Sequence, residues 1–189
     1  MRFISLLAVL TMAAGAHAAV ENYKVDPAHT SIVFKISHLG FSHVYGMFTE
    51  AEGKFSLDSA SPGKSMLEVS VPVSSVFTHE KKRDEHLSSP DFFNVKQFPT
   101  IIFKSKTMKK VDASHWQVTG DLTLHGVTKP VSFELTQGGT GKDPMGNTRT
   151  GGDAMLKIKR SDYGMTFMND PTKVGDDVEI WLSVEGTKI

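Results

Sequence analysis

The sequence predicts an all-β protein, an eight-stranded antiparallel barrel carrying one short helical insertion. Three observations predict it. Apolar and polar residues alternate in segment after segment; no segment shows the strand–helix–strand rhythm of a parallel sheet; and glycines and prolines punctuate the strands at short intervals. Side chains of a strand point alternately to opposite faces, so each segment gains one apolar and one wet face. Closing such a sheet on itself removes exposed edges, and a barrel of about eight strands can enclose one small ligand.

The clearest segment is Trp116 to Leu135. In its first arm Trp116, Val118, Leu122 and Leu124 alternate with Gln117, Thr119, Asp121 and Thr123; in its second, Val131, Phe133 and Leu135 alternate with Ser132 and Glu134. The link from His125 to Pro130 contains Gly126, which tolerates positive φ, and a proline expected to break regular pairing. This reads as a β-hairpin.

In chain order, Arg2 opens a leader whose apolar run, Phe3 to Ala14, precedes Ala16-His17-Ala18. Small residues at 16 and 18 match what a signal peptidase reads, so residues 1–18 are expected to be a cleaved signal peptide and 19–189 one domain. The run is too short for a membrane span of roughly 20 residues. There is no cysteine, hence no lipid attachment at the cleavage point and no disulfide. A soluble periplasmic protein stabilised by core burial is expected.

A short strand, Tyr23 to Asp26, ends at Pro27, and Ser31 to Ser37 places Ile32, Phe34 and Ile36 on one face. Val44 to Phe55 follows the turn at Gly40, with Gly46 and Gly53 expected to mark bends. Met66 to Val73 alternates cleanly. Thr78 to Ser88 reads as an exposed helix capped by Thr78, and Ser89-Pro90-Asp91 as a second helical start ahead of Phe92 and Phe93. Sheet resumes at Thr100 to Thr107. Gly138 to Gly152 reads as a glycine-rich loop. Two final arms carry Ala154, Leu156 and Ile158, then Val178, Ile180, Leu182 and Val184, with Trp181 an aromatic exception on the wet face.

Charge excludes several partners. Basic and acidic residues number 21 each, and removing the leader's Arg2 leaves 20 against 21. Lys81-Lys82-Arg83 and Lys109-Lys110 are short solvated clusters, so nucleic acid is not expected as a partner. Catalytic motifs are equally thin. Gly138 to Lys142 fails as a phosphate loop, because Thr136 replaces its first glycine and Asp143 its magnesium-binding hydroxyl. No metal site is expected: His79 and His86 lie about 10 Å apart along a helix rising 1.5 Å per residue, too far to share one ion.

Several stretches together resemble the YceI-like family of exported, lipocalin-like proteins described as polyisoprenoid-binding. They are VDPAHTSIVFKISHLGFSHVYGMF, KRDEHLSSPDFFNVKQFPTIIFKS, GDLTLHGVTKPV, DYGMTF and GDDVEIWLSVEG, and in that order they are spread along nearly the whole mature chain. Ala51 departs from the family's tendency to an aromatic there and is expected to widen the lining. The resemblance implies a barrel whose apolar interior holds an isoprenoid chain, either a polyprenyl lipid or an isoprenoid quinone, with no cofactor required.

The inward alternation selects Phe34, Ile36, Phe48, Val69, Val71, Phe103, Leu122 and Phe133 as the expected cavity lining, although alternation looks the same for a packed core. His38, Phe41, Arg83, Asp84, His86, Phe92 and Phe93 are the candidates for the mouth, where the planar donor fork of Arg83 could engage a head group. The expected function is a non-catalytic carrier, in one setting a stress-response protein. It would act as monomer or homodimer and contact a membrane or a membrane redox protein transiently. Two alternatives remain at this point: an enzyme working on a lipid head group through Asp84 and His86, and a quinone-delivery partner of a membrane redox protein.

Overall fold

The computed structural model describes residues 20–58 and 60–189; the expected signal peptide lies outside them. Eleven strand segments follow the chain: β1 Glu21–Val25, β2 Ser31–His38, β3 Ser42–Phe48, β4 Glu52–Leu57, β5 Met66–Pro72, β6 Val76–Phe77, β7 Thr100–Lys110, β8 His115–Leu124, β9 Val127–Lys142, β10 Thr148–Lys159 and β11 Val174–Lys188. Three pairs of segments are single staves interrupted by a short irregularity. β1 and β2 are separated by the turn Pro27–His29, β3 and β4 by residues 49–51, and β5 and β6 by Val73–Ser75. Joining them gives eight staves in an up-and-down antiparallel barrel.

β11 closes it. One flank pairs with β10 from Arg149↔Thr187 to Lys159↔Asp177. The other pairs first with β2, from Ile36↔Val178 to Ser31↔Ser183, and then with β1, from Val25↔Gly186 to Tyr23↔Lys188. The Asp26 N–H donates to Glu185 O at 2.8 Å and carries the ladder across the interruption. The neighbouring interruptions are linked too, Thr49 N–H donating to Ser75 O at 3.0 Å. Thus the bend expected at Gly46 and Gly53 falls between them. Gly46 instead gives the Phe34 ring room to lie across β3, and Gly53 lets the β5 backbone approach; a Cβ at either position would overlap these neighbours.

The Trp116–Leu135 hairpin is present, and every second residue of β8 from Trp116 to Leu124 is buried. Its turn is shorter than expected. His125 and Gly126 take φ of 52° and 74°, the two-residue geometry whose twist suits paired strands. Pro130 lies inside β9 opposite Asp121 rather than in the turn. It is tolerated because β10 meets β9 only from Leu135 to Lys142, so the missing N–H breaks no ladder there. The glycine-rich stretch is likewise mostly strand, reaching Lys142 on β9 and restarting at Thr148 on β10. Only 143–147 form a loop, in which Asp143 accepts from the N–H groups of Met145 and Asn147, both at 2.9 Å.

The insertion is one helix, α1 Lys81–Leu87, followed by turns. Glu80, not Thr78, caps it, accepting from Lys82 N–H at 3.0 Å. Residues 89–93 make a turn without becoming a second helix; Asn94 N–H returns to Ser89 O at 2.9 Å, and Asn94 takes a left-handed φ of 47°.

At the end remote from the insertion, Arg149 ties the seam. Its Nη1 donates to Asp26 and to Glu185 at 2.5 and 2.7 Å, and its Nε to Asp143 at 2.7 Å. The guanidinium holds the Asp26 carboxyl at a pKa of about 2, with His29 contributing, and holds Asp143 at about 2 as well. Both folded-state values are depressed, so their stabilisation is present above the ordinary value of 3.8 and fades as pH falls through about 2. Arg149→Met should therefore lower the urea midpoint at neutral pH, and the gap from the wild type should close between about pH 4 and pH 2. A gap unchanged by pH would show that Arg149 acts through packing alone.

Candidate functional site

Inward side chains of the barrel enclose a cavity of about 390 Å³. That lies within the roughly 300–1,000 Å³ range of small-molecule sites. The eight lining residues chosen from the alternation all face it: Phe34 and Ile36 from β2, Phe48 from β3, Val69 and Val71 from β5, Phe103 from β7, Leu122 from β8 and Phe133 from β9. The inward residues of β10 and β11, from Ala154 to Ile158 and from Val178 to Val184, complete the wall. Ala51 is buried in the adjoining core cluster beside Phe48 and does not line the cavity, so the widening expected there is absent.

The two ends differ. One is sealed by Met108, Trp116 and Thr150, each no more than 2% exposed, with the indole N–H of Trp116 donating to Gln137 Oε1 at 2.9 Å. At the other, the lining residues His38, His86 and Met168 are solvent-exposed, so the cavity opens there, beside the insertion. His86, Phe92 and Phe167 form a ring cluster at this mouth with centroids 5.0–5.5 Å apart, edge to face. Phe93 packs edge-on to Phe48 at 5.8 Å and fastens the insertion to the barrel wall.

Of the seven residues expected at the mouth, His38, Arg83, His86, Phe92 and Phe93 line the cavity. Phe41 and Asp84 do not. Phe41 projects from the β2–β3 turn, 88% exposed. Asp84 turns toward Thr78, its Oδ1 accepting from the Thr78 N–H at 2.9 Å and hydroxyl at 2.5 Å. The same hydroxyl accepts from Arg83 Nε at 2.7 Å, while Thr78 O accepts from Arg83 Nη2 at 2.7 Å. Asp84 thus positions Arg83 through Thr78. Three guanidinium N–H groups of Arg83 have no protein acceptor among the described residues. His86 bonds Asp91 at 2.8 Å, so Asp84 and His86 form no acid–base pair.

Arg160 was not among the candidates, though the inward parity of Ala154, Leu156 and Ile158 continues to it. It is 3% exposed and lines the cavity near the mouth. Its donors reach main-chain oxygens, Nε to Gly175 at 2.8 Å, Nη1 to Met165 at 2.7 Å and Nη2 to Val174 at 3.1 Å. Burial lowers its pKa and Asp176 opposes the shift, but no carboxylate touches it among the described residues. Among the lining residues there are two arginines and two histidines and neither aspartate nor glutamate. Far from the mouth, Asp26, His29 and Glu185 converge closely enough to suit a metal ion, but Arg149 already engages both carboxylates.

A YceI-like domain model matches residues 23–186. The chain belongs to the YceI-like family. It is 40% identical over 184 residues to Protein YceI of Salmonella arizonae, covering 96% of this chain and 94% of the relative. A crystal structure of the Campylobacter jejuni YceI protein superposes with a TM-score of 0.72 at 30% identity, over 79% of this chain and 87% of the other. A polyisoprenoid binding domain from Saccharophagus degradans shares the fold, with a TM-score of 0.67 at 15% identity over 88% and 98% of the two chains. The family match therefore spans the barrel from Tyr23 in β1 to Gly186 in β11.

The Thr78 relay makes a specific demand. Thr78→Val keeps the shape and strips the hydroxyl that serves both Asp84 and Arg83, and should cost about 1–3 kcal/mol in urea unfolding. Thr78→Ser should recover most of that loss.

Proposed function

We propose that this protein is a non-catalytic periplasmic carrier that holds the isoprenoid chain of a polyprenyl lipid or quinone inside its barrel. The observation carrying the proposal is the cavity itself: one sealed end, one open end, and a wall apolar from Trp116 to the mouth. Each buried CH₂ contributes about 0.8 kcal/mol, so a chain of several isoprene units could be held with few polar contacts. The fold shared with a polyisoprenoid binding domain supports this choice of tail. The apolar leader with its Ala16-His17-Ala18 site supports the periplasmic setting.

The head group would sit at the mouth, where Arg83 offers unused donors and Arg160 a buried positive charge, free of competing acids in the lining. Quinone carbonyls and phosphate oxygens are both acceptors suited to such donors. A head-group enzyme using Asp84 and His86 is the weaker reading, because those side chains diverge toward Thr78 and Asp91.

Native mass spectrometry of the mature protein, purified from its own cell envelope and then solvent-extracted, should give a stoichiometric isoprenoid. A clean unliganded mass that also refuses added polyprenyl lipid would overturn the proposal. A second test separates a hollow barrel from a packed one. Ala154 is small and faces the cavity, so Ala154→Phe should fold with nearly unchanged thermal stability while lipid uptake falls at least about tenfold. A steep loss of stability would instead report a core with no room, since overpacking typically costs about 1–3 kcal/mol.

A further inference from the structure

The mouth end of the barrel presents large apolar side chains to water. On the β2–β3 turn Leu39 is 40% exposed and Phe41 88%; on the β10–β11 connection Met168 is 42% exposed. Leu39 and Met168 hold left-handed φ values of 53° and 49°, a conformation that suits asparagine or glycine far better than an unbranched or γ-branched apolar residue. The two tips form one surface. Leu39 N–H donates to Lys173 O at 2.6 Å, and Val174 N–H to Met168 O at 3.2 Å. Met168 also lines the cavity, so at this residue the apolar interior reaches the outer tips. At the opposite end the exposed Val111 and Met145 sit singly in polar loops, beside Asp112 and Ser114 and between Asp143 and Asn147, while Val20, Met66 and Ile189 are exposed beside β1 and β5 and none of the five lines the cavity.

Charge around the mouth is balanced. Lys81, Lys82, Lys96 and Lys173 are offset by Glu80, Glu85, Asp91 and Asp170, all exposed or half-buried. Arg83 is turned to Thr78 and the cavity. Such a rim has no net attraction for an anionic surface and gains instead by burying apolar area.

We infer that this end docks onto a lipid bilayer, Leu39, Phe41 and Met168 entering the acyl boundary so that the cavity mouth opens directly against the membrane. The inference rests on the carrier reading: a long apolar chain dissolves in the bilayer and hardly at all in water, so the mouth must meet that phase to load or discharge it. A zwitterionic surface suffices, because the contact is apolar.

Flotation of the mature protein with pure phosphatidylcholine vesicles tests this, run at low and high salt and beside uptake of geranylgeraniol followed by tryptophan fluorescence. The wild type should float at both salt concentrations. Leu39→Asn with Phe41→Ser should reduce flotation at least about tenfold, the effect of losing one buried large apolar side chain or more, and leave geranylgeraniol uptake unchanged. Asparagine favours the left-handed conformation at position 39, so the variant keeps its turn. Wild-type protein that stays unbound, a double variant that floats as well as the wild type, or binding confined to anionic vesicles at low salt would each overturn the docking surface. In the first case the rim would be left for a protein partner. Geranylgeraniol uptake reads the carrier proposal separately: flotation without uptake would sink the carrier and spare the docking surface, and uptake without flotation the reverse.

Discussion

The structure depends on the double pairing of β11. A meander of eight staves is only a curved sheet until its last strand finds its first, and an open sheet would leave two rows of unpaired N–H and C=O groups. β11 solves this by being long enough to face an interrupted partner. Its Val178–Ser183 part meets β2 and its Gly186–Lys188 part meets β1, with the Asp26–Glu185 main-chain bond across the turn between them. Arg149 sits over that seam and gathers carboxylates from β11, the β1–β2 turn and the β9–β10 loop. Three separate stretches of chain are thereby fixed around one always-charged group.

Closure creates the interior, but side-chain size decides that it is hollow. Most inward positions carry Val, Leu, Ile or Ala, and the rings that could cross the lumen are drawn aside. Phe34 lies over Gly46, Phe103 tilts against Phe133 at 5.3 Å, and Phe55 stacks on Tyr23 at 4.9 Å. Aromatic pairing along the wall thus supplies stability that a packed centre would otherwise have to provide. The insertion is held by the same means through Phe93 and Phe48. It covers the barrel without entering it.

Much of this was legible in the alternation. Parity along β2, β5, β7, β8, β9, β10 and β11 placed inward residues correctly because a one-residue slip would turn a whole apolar face to solvent. Three features were hidden for physical reasons. The break at 49–51 changes pairing partner without a strand-breaking residue, so β3 and β4 read as one arm, whereas Pro27 marked the break at 27–29 in the sequence. Glycine-rich sequence at 138–152 looked like loop, yet cross-strand bonding holds Gly138 to Gly141 and Gly151 to Gly152 extended, and Thr140 bonds Thr150 at 2.8 Å across them. The cap of α1 was misplaced because Thr78 has a stronger use: its hydroxyl lies between Asp84 and Arg83. Arg160 was missed for a different reason. Its parity pointed inward, but a lone cation after an apolar run reads as the end of the strand, and only the fold brings the oxygens of Met165, Val174 and Gly175 around it.

The division of labour between barrel and insertion follows from these contacts. The apolar cavity is largely a property of the sheet, whose backbone bonds hold its inward residues at a fixed spacing, and apolar contact discriminates poorly between chains of similar width. Arg83 belongs instead to a short exposed helix, placed by the hydroxyl and main-chain oxygen of Thr78, in an insertion anchored to the barrel core through Leu87, Phe93 and Val95. Changes there leave closure undisturbed, since the β5–β7 ladder begins only at Pro99, whose O accepts from Val73 N–H at 2.9 Å, and under the proposed carrier reading they would alter which head group is accepted. Arg160 lies between the two regimes, buried in the connection that follows β10 and bonded to the start of β11. Its charge is bound to the barrel seam while its face is turned to the cavity, so the polar end of the site has one adjustable donor and one fixed by the fold.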